Sequence, residues 1–117
     1  RQKYVEDKVE LLAPDIIIYE LANVLRYYAG LSERQLKEDI EAIFLLDIEL
    51  VPPSLELIKQ SAVDARKLDI SLYDAVYVAL AKSISSNFVT ADSQLYAKTK
   101  KTGTLLLSEL GKKWALP

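Results

Sequence analysis

From Ser71 to Ile84 the chain carries a helix-forming run that is rich in Ala (Ala75, Ala79, Ala81) and apolar on most sides. A helix without a wide polar face cannot lie on a surface, so whatever fold this chain adopts must bury most of it. Ser71 is a natural N-cap for that helix, and Asp74 falls three residues later at N3, a variant of the capping box. The remaining segments have to supply the layers that cover it.

Those layers alternate. The short runs 48–51, 87–91 and 104–107 read as strands, the first stopped by Pro52-Pro53. Helices are expected over 2–12, closed by Pro14, and over 15–29, where Ile17, Leu21, Val24, Leu25 and Tyr28 share one face and Asp15 is the N-cap. Further helices are expected over 32–46, opened by the capping box Ser32-Glu33-Arg34-Gln35, over 54–68 behind Ser54, and over 93–101. Strands that alternate with helices imply a parallel sheet covered on both faces, a helix-rich three-layer α/β/α fold. The length of 117 residues suits one domain over 1–117, and neither linker nor repeat divides it.

Composition narrows the chemistry. Cys, Met and His are absent, which excludes a disulfide scaffold, a Cys/His zinc site and imidazole acid–base catalysis. A chain that opens at Arg1 without Met is expected to have residues upstream. The net charge of −2 gives no overall basic field, but six acids between Glu33 and Glu49 face only Arg34 and Lys37, while Lys98, Lys100, Lys101, Lys112 and Lys113 face only Glu109. Solvated surface is the plain explanation of both. The apolar stretch Leu11 to Ile18 is broken by Pro14 and Asp15, far short of the ~20 residues of a membrane span, and there is no signal-peptide pattern. A soluble, cytoplasmic protein is expected.

Three acids fall where exposed charge is not the first explanation. Glu20 flanks the apolar stripe of helix 15–29, with Ile17 and Val24 as neighbours, so it is expected to be partly desolvated and held by a tertiary hydrogen bond. Asp74 opens the most apolar helix, where the helix dipole already accounts for an acid. Asp92 follows the strand 87–91, at the carboxyl end where α/β proteins build sites, and can equally serve as N-cap of the next helix. Together, in a chain without His or Cys, the three would make a hard-cation site for Mg²⁺ or Mn²⁺.

The blocks around these acids carry a resemblance. Tyr19-Glu20-Leu21-Ala22-Asn23-Val24-Leu25, then Leu72-Tyr73-Asp74-Ala75-Val76-Tyr77-Val78-Ala79-Leu80-Ala81, then Phe88-Val89-Thr90-Ala91-Asp92-Ser93-Gln94-Leu95 resemble, in order and spacing, successive blocks of the PIN-domain family, in particular its VapC-type toxins. The resemblance implies a metal-dependent endoribonuclease that hydrolyses RNA phosphodiester bonds, the toxin of a toxin–antitoxin pair. It assigns Glu20, Asp74 and Asp92 as catalytic metal ligands for Mg²⁺ or Mn²⁺, Thr90 as a hydroxyl beside the site and Asn23 as a support for the Glu. It also implies RNA as substrate, a cognate antitoxin as partner and a homodimer. The apolar residues Tyr27, Leu31, Ile43, Phe44 and Leu45 agree with the last, since they exceed what one sheet-facing surface uses.

Two departures stand out. The family has a further Asp ending its first strand, whereas residues 1–12 here read as helix with Asp7 in its middle, so the N-terminal strand is expected to be missing from this chain. Many relatives carry another acid just after the Asp92 position, where Ser93 and Gln94 are neutral. The alternative reading is therefore a catalytically degenerate PIN-like module that binds protein or RNA without cleavage. A small-molecule-binding domain has little support, because no Gly-rich phosphate loop is present.

Overall fold

The computed structural model describes residues 10–110. Helices and short parallel strands alternate along it, a helix-rich α/β arrangement. The chain divides into two compact units, residues 1–52 and 53–117. Among the described residues no helix is long and apolar enough to cross a membrane.

In the first unit, β1 (Leu12–Pro14) leads through Asp15 into α1 (Ile16–Arg26), and α2 (Glu33–Phe44) leads into β2 (Glu49–Val51). The two strands pair in parallel, with Leu12 opposite Glu49 and Pro14 opposite Val51. The backbone N–H of Asp15 extends the ladder to the Val51 carbonyl at 3.0 Å. This corrects the N-terminal expectation. Most of the helix expected over 2–12, Asp7 included, lies outside the described residues, and Leu12 is in a strand. The reason is non-local: a three-residue segment takes its conformation from a partner 37 positions away.

Ser32 caps α2 by accepting from the Gln35 N–H at 3.0 Å, but the other half of the box does not close, because the Gln35 side chain donates to Asp39 instead. On α1, Ile17, Leu21 and Leu25 are half-buried, whereas Val24 and Tyr28 of the expected apolar face are exposed. Ile17, Leu21, Ile43, Leu46, Ile48 and Leu50 line a shallow apolar pocket of about 50 Å³ within this unit.

The second unit holds α3 (Leu55–Leu68), α4 (Leu72–Ser83), β3 (Phe88–Thr90), α5 (Ser93–Thr99), a 3₁₀ turn (Lys100–Thr102), β4 (Thr104–Leu106) and α6 (Leu107–Leu110). β3 and β4 pair in parallel, Phe88 opposite Thr104 and Thr90 opposite Leu106. Gly103 makes the sharp turn into β4 at φ +93°, a conformation that side chains rarely adopt, while space for a Cβ is ordinary there. Leu107, expected to end a strand, opens α6 instead.

As its composition demands, α4 is the core: six of its twelve residues are buried, from Ala75 to Ala81. Their small size lets α3 pack closely, with Ser61 fully buried and its hydroxyl returned to the Leu57 carbonyl at 2.7 Å. The same interface buries a charge. Asp64, with a side chain 4% exposed, receives Lys82 Nζ at 2.9 Å and Gln60 Nε2 at 3.0 Å on Oδ1. Its Oδ2 also lies 2.9 Å from Nζ but outside hydrogen-bonding direction, so that oxygen is held by charge alone. Removing one partner of a buried pair leaves the other charge uncompensated. Lys82→Ala is therefore expected to lower the unfolding free energy by about 2–3 kcal/mol, read from the urea midpoint, and Lys82→Arg by less than about 1 kcal/mol. Equal losses from both would show that the charge is not what holds Asp64.

Candidate active site

Glu20 belongs to the first unit, on the second turn of α1 beyond β1. It is exposed, not partly desolvated as its place beside the apolar stripe suggests, because α1 buries no residue completely. Asn23, one turn further, accepts a hydrogen bond on Oδ1 from Arg26 Nε at 2.9 Å. Its amide oxygen is thus turned toward the C-terminal end of α1.

Asp74 and Asp92 belong to the second unit. Ser71 Oγ accepts from the Asp74 N–H at 3.1 Å, which fixes Asp74 in the first turn of α4, half-buried and close to the positive end of the helix dipole. Asp92 lies two residues beyond β3. Its Oδ1 accepts from the N–H groups of Gln94 at 2.9 Å and Leu95 at 3.1 Å, capping α5. Thr90 Oγ1 accepts from the Asp92 N–H at 3.1 Å, so the hydroxyl that closes β3 sets the backbone that carries the acid. Tyr77, one turn after Asp74, stacks on Phe88 at the head of β3 with ring centroids 5.3 Å apart. That contact ties the helix bearing Asp74 to the strand that leads to Asp92.

Among the described residues, no three acids gather within either unit in a way that could hold a metal ion. Asp15 is an acid whose place the sequence explains only in part. It stands at the N-cap position of α1, as expected, but its side chain makes no cap hydrogen bond, so its carboxylate at the carboxyl end of β1 is not committed to the helix. Its signal in the sequence, an acid directly after Pro14, is shared with ordinary caps. In the basic C-terminal stretch, Lys98 is taken up by Asp69, with Nζ 2.8 Å from its carbonyl and 3.8 Å from its carboxylate, while Lys112 and Lys113 lie outside the described residues.

The cap and the charge of Asp92 can be separated. Asp92→Ala is expected to cost about 1 kcal/mol of stability, and Asp92→Asn, which still accepts from the two N–H groups, only a few tenths. Thermal unfolding of the two variants checks this.

Residues 1–101 match the PIN domain, a stretch that contains Glu20, Asp74 and Asp92. The chain is also 34% identical over 101 residues to Ribonuclease VapC3 of Pyrobaculum aerophilum, covering 83% of this chain and 77% of that protein. A match to the PIN domain over residues 1–101, with this identity across most of both chains, shows the family: the chain belongs to the PIN domain family.

Proposed function

We propose that this protein is a divalent-metal-dependent endoribonuclease and the toxin of a toxin–antitoxin pair, with Glu20, Asp74 and Asp92 as the acids that hold Mg²⁺ or Mn²⁺. The observation that carries the proposal is the family match through residues 1–101, with its similarity to a protein named as a ribonuclease. The donor set suits a hard cation, since carboxylates and the Thr90 hydroxyl offer oxygen only and the chain has no His or Cys. With Oδ1 of Asp92 used for the α5 cap, Oδ2 is the oxygen to face an ion. The chemistry such an ion supplies when bound is activation of water and neutralisation of charge on a phosphodiester. The chain contributes positioning: Ser71 holds the first turn with Asp74, and Thr90 with the α5 cap holds Asp92.

A module that binds protein or RNA without cleavage is the second reading. It is favoured by Ser93 and Gln94, neutral where many relatives carry another acid. RNA cleavage assays in millimolar Mg²⁺ or Mn²⁺, with chelator as control, separate the two. Cleavage is expected to need the metal, and Asp74→Asn to reduce it by about 100-fold or more with an unchanged circular dichroism spectrum. Asp15→Asn in the same assay decides whether that uncommitted carboxylate belongs to the set. RNA that is bound but left intact with both metals would establish the module. The toxin role predicts growth arrest on expression, lost in Asp74→Asn.

A homodimer is part of the proposal. Phe44 and Leu45, at the end of α2, are 64% and 84% exposed, an apolar patch that a second copy would cover. Light scattering is expected to give about twice 13.2 kDa, and Leu45→Lys to shift it toward the single-chain mass. A 13.2 kDa particle at micromolar concentration would remove the dimer from the proposal.

A further inference from the structure

Tyr73 stands in the first turn of α4, directly before Asp74, and is 61% exposed. Tyr77 follows it by one turn on the same flank, about 40° round the helix, and is half-buried where it stacks on Phe88. Past Ser83 the chain doubles back. The N–H groups of Ser85 and Ser86 return to the Lys82 and Ala81 carbonyls at 3.2 and 2.8 Å, and by Phe88 the chain is level with Tyr77, ring centroids 5.3 Å apart. β3 therefore runs toward the N-terminal end of α4. Tyr73 precedes Tyr77 by four residues and Thr90 follows Phe88 by two, steps of ~6 and ~7 Å in the same direction. Tyr73, Asp74, Thr90 and Asp92 thus share one end of the second unit, where Tyr73 is an aromatic ring left open to solvent. Helical Cα–Cβ bonds tilt toward the N-terminus, so those of Tyr73 and Asp74 both lean to that end.

An exposed Tyr offers a flat apolar face on a side chain with two torsions, so ordering it against a ligand costs little. Unpaired bases of RNA bind by stacking on such rings, and every base has a face that suits. Neighbouring Cα atoms are ~3.8 Å apart, so a base that reaches Tyr73 belongs to a nucleotide bordering a phosphodiester at Asp74. An apolar protein partner suits the place less. It must desolvate the half-buried carboxylate of Asp74 beside the ring and the exposed one of Asp92. A nucleotide sets its base on the ring and leaves its phosphate to the acids and the cation proposed there.

We propose that Tyr73 is a base-stacking residue for single-stranded RNA, holding a nucleotide next to the bond to be cut. The assignment rests on the ribonuclease reading and adds to it a substrate contact beside the acids. Stacking accepts every base, so Tyr73 contributes affinity more than sequence choice.

The test measures anisotropy of a labelled single-stranded RNA dodecamer in chelator, in the Asp92→Asn background, alongside cleavage kinetics in the otherwise unmodified protein with Mg²⁺ or Mn²⁺. Tyr73→Ala is expected to weaken binding about tenfold, and Tyr73→Phe, which keeps the ring, by less than about threefold. Tyr73→Leu, apolar but without a ring face, should lose as much as Tyr73→Ala. The salt slope of log affinity should stay the same in all three, since no charge is removed. KM is expected to rise about tenfold in Tyr73→Ala and to be restored in Tyr73→Phe. If the unmodified protein binds and cleaves RNA but Tyr73→Ala matches it, the stacking role is wrong and the ribonuclease reading stands. Leu that serves as well as Phe overturns the proposal, because the face of the ring is then not what binds. A Tyr73→Ala variant that changes the mass in light scattering while RNA affinity is unmoved makes the residue a protein contact and likewise overturns it. Failure of the unmodified protein to bind or cleave RNA with either metal overturns both readings. Should circular dichroism show Tyr73→Ala misfolded, the comparison of Tyr73→Leu with Tyr73→Phe decides.

Discussion

The packing of α3 against α4 is the constraint from which the second unit is built. Ala75, Val78 and Ala79 are almost wholly excluded from water, and Ser61 on α3 is fully buried with them. Small residues permit a close approach, and close approach is what brings Asp64 and Lys82 within 2.9 Å across the interface. A buried carboxylate tolerates few alternative arrangements, because any shift that separates it from the ammonium leaves charge in an apolar setting. The pair therefore narrows how the two helices can sit, while burial of apolar surface supplies the driving force.

The acids of the proposed site depend on that frame through local hydrogen bonds. Ser71 closes the short turn between α3 and α4 and, by capping α4, sets where Asp74 emerges. The stack of Tyr77 on Phe88 fastens α4 to the start of β3, and Thr90 at its end shapes the backbone that presents Asp92. Helix starts and strand ends are where an α/β fold exposes N–H groups and places side chains without burying them. An acid at such a place can stabilise its helix and serve chemistry with different oxygens, as the two oxygens of Asp92 allow. Structural and catalytic roles are not rivals at these positions.

Much of this was legible in the residues. The serines at 32, 54 and 71 mark helix starts because a hydroxyl must meet the first N–H groups, and each does so at 3.0–3.1 Å. The three expected strands form within a residue of their bounds, the first stopped by Pro52-Pro53 and the last entered through the turn at Gly103. The acid blocks, with their order, carried the family. What escaped was decided by distant partners. β1 is extended because Glu49–Val51 pairs with it, and Gln35 bonds Asp39 although its spacing from Ser32 fits a capping box.

The sequence by itself determined the helix-rich α/β class, the buried status of α4 and the positions of Glu20, Asp74 and Asp92 on their elements. These follow from periodicity, caps and composition, which act over a few residues. Tertiary structure alone decided that Leu12–Pro14 is a strand, that Glu20 is exposed, that Asp64 is sealed against Lys82 and that Asp15 leaves its helix uncapped. Burial and pairing between residues far apart in the chain depend on where whole elements come to rest, and no local pattern encodes that.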